Sequence, residues 1–315
     1  MKMKDALVCI ILCLCAASIE GQSFADDKKD DPSQIGNRDV EGFNCYSLEK
    51  EIAMGKQLAG EVQRQAKLMD DPIIAEYVNR VGQNLARNSD AKVPFTFQVI
   101  DDSTLNAFAL PGGFVFVNTG LVTAAETEAE MASAMAHEIA HVAARHMTRQ
   151  ACRAKIANIA TIPLIFLGGW GGYAIREAAG AAIPMTFLTF SRGYEAEADY
   201  LGLQYLYAAG YDPTAALDMF EKMMSLERGK PGSIAKVFAT HPMNGDRLKK
   251  AQAEIQRILP QKAEYVVNTS EYADVRGRLL AIENRRKLRS TDKDPKAPVL
   301  RRSPGSGAPE RDWVE

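Results

Sequence analysis

The sequence predicts an α+β fold, mainly helical with one small sheet. Three observations carry that reading. Apolar residues recur at three-to-four spacing along several capped stretches, the period of helices that pack by one face. Only three short segments, around residues 95–99, 107–110 and 114–118, have the pattern of strands. A His-Glu-x-x-His pentapeptide, His137–His141, sits within a helical stretch rich in alanine.

Along the chain, residues 1–25 read as an export signal. Met1-Lys2-Met3-Lys4 is basic, Ala6–Ala17 is apolar, and Ser23-Phe24-Ala25 offers a small-residue cleavage site. The apolar run is shorter than the roughly 20 residues that span a bilayer. Residues 26–41 are charged and aperiodic, the composition of a flexible leader. Ser47 caps a helix running to about Leu68, and Asp71-Pro72 opens the next, with Ile74, Tyr77, Val78, Val81 and Leu85 on one face and Asn88 at its end. Phe95, Phe97 and Val99 alternate with polar residues as in a half-buried strand, and Pro111-Gly112-Gly113 separates the two strands that follow. Thr123-Ala-Ala-Glu126 has the form of a capping box, opening a long helix to about Gln150. Further helices are expected from Arg192 to Ala209, stopped by Gly210, from Asp212-Pro213 to about Leu226, and over 244–258 and 270–288, with a loop at Gly229–Gly232. Residues 289–315 read as a disordered tail.

Residues 156–190 are apolar and glycine-rich. Ile156–Ile175 has no charge over 20 residues, but Pro163, the cluster around Gly168–Gly172, Arg176 and Glu177 break it. This reads as an apolar helix-loop beside the His137–His141 segment with peripheral membrane contact. Charge is nearly balanced, 38 Lys+Arg against 40 Asp+Glu, and aromatic residues make up 8%, which excludes a general nucleic-acid binder. Of five cysteines, three fall in the signal. Cys45 and Cys152 remain, and their spacing alone leaves a disulfide open.

The pentapeptide carries the chemistry. Histidines four apart stack on one helix face, so His137 and His141 can reach one zinc ion, while Glu138, rotated about 100°, stands beside it as a general base. A third ligand is sought in Ser191-Arg-Gly-Tyr-Glu-Ala-Glu-Ala-Asp199. On a helix Glu195 and Asp199 share a face, and Glu197 points about 160° away. Glu195 can then ligate the metal, with Asp199 accepting the N–H of a ligating histidine. His146 faces another direction and reads as a surface or packing residue.

At this point the chain resembles the zinc metalloproteases of the HtpX, BepA and type I CAAX prenyl protease kind. The resemblance rests on His137–His141, Glu195–Asp199, Asn106-Ala-Phe-Ala-Leu-Pro-Gly-Gly113 and His241-Pro-Met-Asn-Gly-Asp-Arg247. It implies a gluzincin domain over 42–288, mainly helical, with a small, mostly antiparallel sheet beside the metal helix. It implies one zinc per chain, Glu195 as third ligand and Asp199 behind the site, and it puts His241 near the metal. There His241 either donates to the oxyanion or binds the vacant metal position as a gate, and Arg247 supports the same site. The resemblance also suggests that an edge strand holds the substrate, with Asn106, Ala107, Phe108, Phe114, Val115 and Phe116 as candidates. No pair of spanning helices and no C-terminal helical repeats are evident, so a compact exported member, periplasmic or in the cell envelope, is expected. The reading is an endopeptidase for misfolded or misassembled exported proteins. A chaperone-like or latent protein closed by His241, and a membrane-embedded protease, are the other readings. The sequence leaves the oligomeric state open.

Overall fold

The computed structural model describes residues 28–157, 189–229, 241 and 245–291. The expected signal, most of the apolar 156–190 stretch, residues 230–232 and the tail beyond Thr291 lie outside the described residues. A 3-10 turn at Pro32–Gln34 precedes α1 (Leu48–Gln65), α2 (Pro72–Arg87), β1 (Thr96–Ile100), β2 (Ala107–Leu110), β3 (Phe114–Asn118), α3 (Thr119–Ala124), α4 (Glu128–Ala143) and α5 (His146–Ala157). Then come α6 (Arg192–Ala208), α7 (Ala215–Gly229), α8 (Gly245–Ile258) and α9 (Ser270–Thr291). Ser47 caps α1 through Lys50 N–H, Asp71 caps α2 through Ile73 N–H ahead of Pro72, and Asn88 closes α2.

The sheet has the order β1-β3-β2. β2 and β3 form the expected antiparallel hairpin, while β1 pairs with β3 in parallel, so the sheet is mixed. Gly112 (φ 74°) and Gly113 (φ 90°) make the hairpin turn in left-handed conformations. A Cβ on Gly113 would lie 2.2 Å from Pro94 O, and one on Gly112 2.5 Å from Ile52 Cα, so both glycines are required. Strand alternation divides the sheet's side chains. Phe97, Val99, Ala107, Ala109, Val115 and Val117 enter the main core with α2 and α4, while Ile100, Leu110 and Phe116 pack on Ala59 and Val62 of α1.

α4 is the central rod, and its alanines let α6 come close. Ala132, Ala136 and Ala140 are fully buried. Opposite them, a Cβ on Gly202 would stand 3.2 Å from the backbone of His137. That close approach brings the acidic first turns of α6 up to the histidines of α4.

Three local expectations are corrected. Thr127, not Thr123, caps the metal helix: its hydroxyl accepts from Glu130 N–H, while Glu130 reaches back to Glu126 N–H. The Thr123 hydroxyl instead bonds back to carbonyls within α3. The long helix also breaks at Arg145, a left-handed residue (φ 56°) held in place because its guanidinium bonds Glu51, Glu41 and the carbonyl of Tyr46. The leader packs over the part described. Val40 and Arg38 are buried, and Arg38 donates to Asp90 (2.8 Å) and Gln204 (2.6 Å), partners too remote in sequence for a composition argument to find. Cys45 and Cys152 form a disulfide with Cα atoms 5.6 Å apart. Among the described residues, no helix is long and apolar enough to cross a membrane.

Candidate metal centre

The two histidines of α4 point to one side, one turn apart, with Nε2 atoms 3.0 Å from each other. α6 enters over them. Glu195, in its first turn, sets its carboxylate 3.5 Å from His137 Nε2 and 3.6 Å from His141 Nε2. His241 completes the group, its Nδ1 lying 3.3 Å from His137 Nε2 and 3.0 Å from Glu195 Oε1. One nitrogen or oxygen atom from each of His137, His141, Glu195 and His241 lies within 4.8 Å of all the others. Three imidazoles and a carboxylate at this spacing are a donor set that suits zinc.

Around these four, charges are satisfied in pairs. Asp199, one turn beyond Glu195, lies 3.0 Å from His137 Nδ1, within ion-pair range but angled away from a straight hydrogen bond. Arg247, in the first turn of α8, grips Asp199 through Nε (2.7 Å) and Nη2 (2.6 Å) and reaches Glu195 Oε2 at 3.1 Å. Glu138 stands on the other side. Its Oε2 accepts from Ala109 N–H at 3.0 Å, and its Oε1 lies 3.2 Å from His241 Nε2. Phe190 stacks on the His141 ring at 4.2 Å.

The electrostatics follow from burial opposed by these partners. Burial would raise Asp199 and Glu195, but Arg247 and His137 hold Asp199 low, and His137 and His241 hold Glu195 far below the usual carboxylate range. Burial drives His141 well below an ordinary histidine, helped by His137 and His146. For His137 the effect of burial is outweighed by Asp199 and Glu195, which raise it. Burial also opposes charge on His241, yet Glu138 and Glu195 carry it up to about 10.

The six expected substrate residues divide. Asn106 and Ala107 line an apolar cavity shared with His137, Glu138, Leu203, Met219 and Phe220. Ala107 and Phe108 lie on β2, the sheet edge beside Glu138, but the Phe108 ring stacks on Phe116 (5.2 Å), on the α1 side. Phe114, Val115 and Phe116 are corrected. They belong to β3, the middle strand, whose backbone is shared between β1 and β2, and Val115 and Phe116 are buried core. Three residues beside the site have no part in it in the sequence reading. Ala109 meets Glu138 through a backbone amide that no side-chain pattern marks. His146 and Glu197 form a pair (Nε2 to Oε2, 3.1 Å) behind His141.

A family model for peptidase family M48 matches residues 72–255, a span that contains His137, His141, Glu195 and His241. The chain belongs to peptidase family M48. M48 peptidases use zinc, and the four converging side chains are a group able to hold it among the described residues. The chain is 31% identical to a putative beta-barrel assembly-enhancing protease of Vibrio cholerae serotype O1, over 80% of this chain and 53% of that protein. It is 28% identical to the beta-barrel assembly-enhancing protease of Escherichia coli (strain K12), over 86% of this chain and 55% of that one. It is 32% identical to the mitochondrial metalloendopeptidase OMA1 of Schizosaccharomyces pombe, over 70% of this chain and 64% of that one. The chain thus spans about half the length of the two beta-barrel assembly-enhancing relatives.

Proposed function

We propose that this M48 chain is a zinc-dependent endopeptidase that cleaves extended segments of misfolded or misassembled exported proteins. The observation that carries the reading is the convergence of His137, His141 and Glu195 around Glu138, beside the edge strand β2. When bound there, zinc supplies a Lewis acid that polarises a scissile carbonyl. Glu138 takes the proton of the attacking water and hands it to the leaving amine. Asp199 orients His137, and Arg247 fixes both Asp199 and Glu195. A substrate main chain pairs with the outer edge of β2 at Ala107 and Ala109, and the apolar cavity lined by Leu203, Met219 and Phe220 receives a side chain. Three features support action on exported proteins: the signal-like residues 1–25, the Cys45–Cys152 disulfide, which suits an oxidising compartment, and the likeness to beta-barrel assembly-enhancing proteases.

A second reading has its own observation. His241 engages both Glu138 and Glu195 and offers Nδ1 as a fourth converging atom, the arrangement of a closed resting site. The test is casein cleavage with zinc analysis on Glu138→Gln and His241→Ala. Glu138→Gln is expected to keep one zinc and lose about 10²–10⁴-fold in rate. Retained cleavage would sink the peptidase reading. His241→Ala raises the rate if His241 gates the site and lowers it if it donates to the oxyanion.

A further inference from the structure

His146 is fully buried, one turn past the end of the metal helix, with its ring stacked on Tyr194 (centroids 4.5 Å apart, planes at 28°). Both of its nitrogens have a partner. Nε2 faces Glu197 Oε2 at 3.1 Å, and Nδ1 faces His141 Nδ1 at 2.9 Å. Glu197 is itself paired with Arg149 at 3.1 Å and lies 3.8 Å from Lys29. An ionised carboxylate only accepts hydrogen bonds, so the N–H of a neutral His146 belongs on Nε2. Its Nδ1 is then a lone pair and accepts the Nδ1–H of His141. That leaves His141 Nε2 bare, on the side where His137 Nε2 and Glu195 converge. A proton on His146 Nδ1 would face the Nδ1–H of His141 and force that proton onto Nε2, on the converging side, where an N–H cannot ligate.

We infer that His146 and Glu197 are positioning residues, a relay from carboxylate to imidazole to imidazole that locks His141 in the one tautomer able to bind zinc. A metal-ligating histidine ordinarily passes its second N–H to a carboxylate, a carbonyl or water. Asp199 takes that place behind His137, and behind His141 it is taken by a second imidazole backed by Glu197. The alternate acidic residues of one helical stretch thus have three tasks: Glu195 faces the convergent group, Asp199 backs one histidine, and Glu197 backs the other through His146.

The inference rests on the reading of His137, His141 and Glu195 as zinc ligands, and the experiment separates the two. Zinc affinity is measured by chelator competition on the full chain for wild type, His146→Leu, His146→Asn, His137→Ala and His141→Ala. His146→Leu keeps the bulk but removes the acceptor, and a 10–100-fold loss of affinity is expected. His146→Asn restores an acceptor near the Nδ1 position and should recover most of that loss. Wild-type affinity in folded His146→Leu, or equal losses in the Leu and Asn variants, overturns the relay. Undiminished zinc in His137→Ala and His141→Ala overturns the ligand reading itself. Should His146→Leu fail to fold, nitrogen NMR of histidine-labelled, zinc-loaded wild type decides. The relay requires His141 to carry its proton on Nδ1 and to share it with His146, and a proton on His141 Nε2 refutes it.

Discussion

Glu254 of α8 shows how the charges of the site reach single residues at its margin. Burial and the charge of Asp199 push it up to about 7 from an ordinary 4.5. A carboxyl whose folded pKa is raised stabilises the fold while it is protonated, and that contribution disappears as pH rises from about 4.5 through 7. Glu254→Gln should therefore flatten the pH dependence of urea unfolding in that window and add on the order of 1 kcal/mol at pH 8, discounted for the group's partial exposure. A wild-type-like slope in the variant would refute this. At this scale the sequence was informative where one helix settled the question. Rotation per residue was enough to pair Glu195 with Asp199 and to turn Glu197 away. It could not say what Glu197 turns toward, because His146 arrives from a helix that restarts only after the left-handed Arg145.

The contact of α4 with α6 sets the geometry of the site, and two glycines of α6 test it in opposite directions. At Gly202 a methyl group would press on the backbone of His137 at 3.2 Å. Gly202→Ala is expected to cost about 1–3 kcal/mol and to weaken zinc binding, since the metal helix itself must shift. At Gly193 the same methyl would meet only the Ser191 hydroxyl, at 3.9 Å, so Gly193→Ala should gain about 0.5–1 kcal/mol. Urea titration with chelator competition on both variants checks the pair, and equal effects would contradict the close-packing argument. Most elements were legible from caps and periods: Ser47, Asp71-Pro72 and Gly210 stand where their helices begin and end. Thr123 and Thr127 both precede a carboxylate by three residues, and only packing decides that the second begins the metal helix. Strand order was likewise hidden, because alternation shows which face a residue takes but not that β3 lies between β1 and β2.

Across the whole molecule the Cys45–Cys152 bridge spans 107 residues and ties the segment before α1 to α5, beside the Arg145 break. Chain entropy for a loop of that size is worth up to about 4–5 kcal/mol. Cys45→Ser combined with Cys152→Ser should therefore lower Tm by roughly 10 °C for a domain this large. An unchanged Tm would show that the bridge adds nothing the packing lacks. The packing of the described part of the leader shows only at this scale, because Arg38 finds Asp90 and Gln204 only after the chain has folded. The edge strand has a consequence between molecules. Bare strand edges invite pairing with any passing chain, and here the acid expected to drive hydrolysis also plugs one backbone donor of β2, at Ala109. If substrate pairs there as proposed, the docking chain takes over the Ala109 N–H from that carboxylate, so that docking and release of the base become one event.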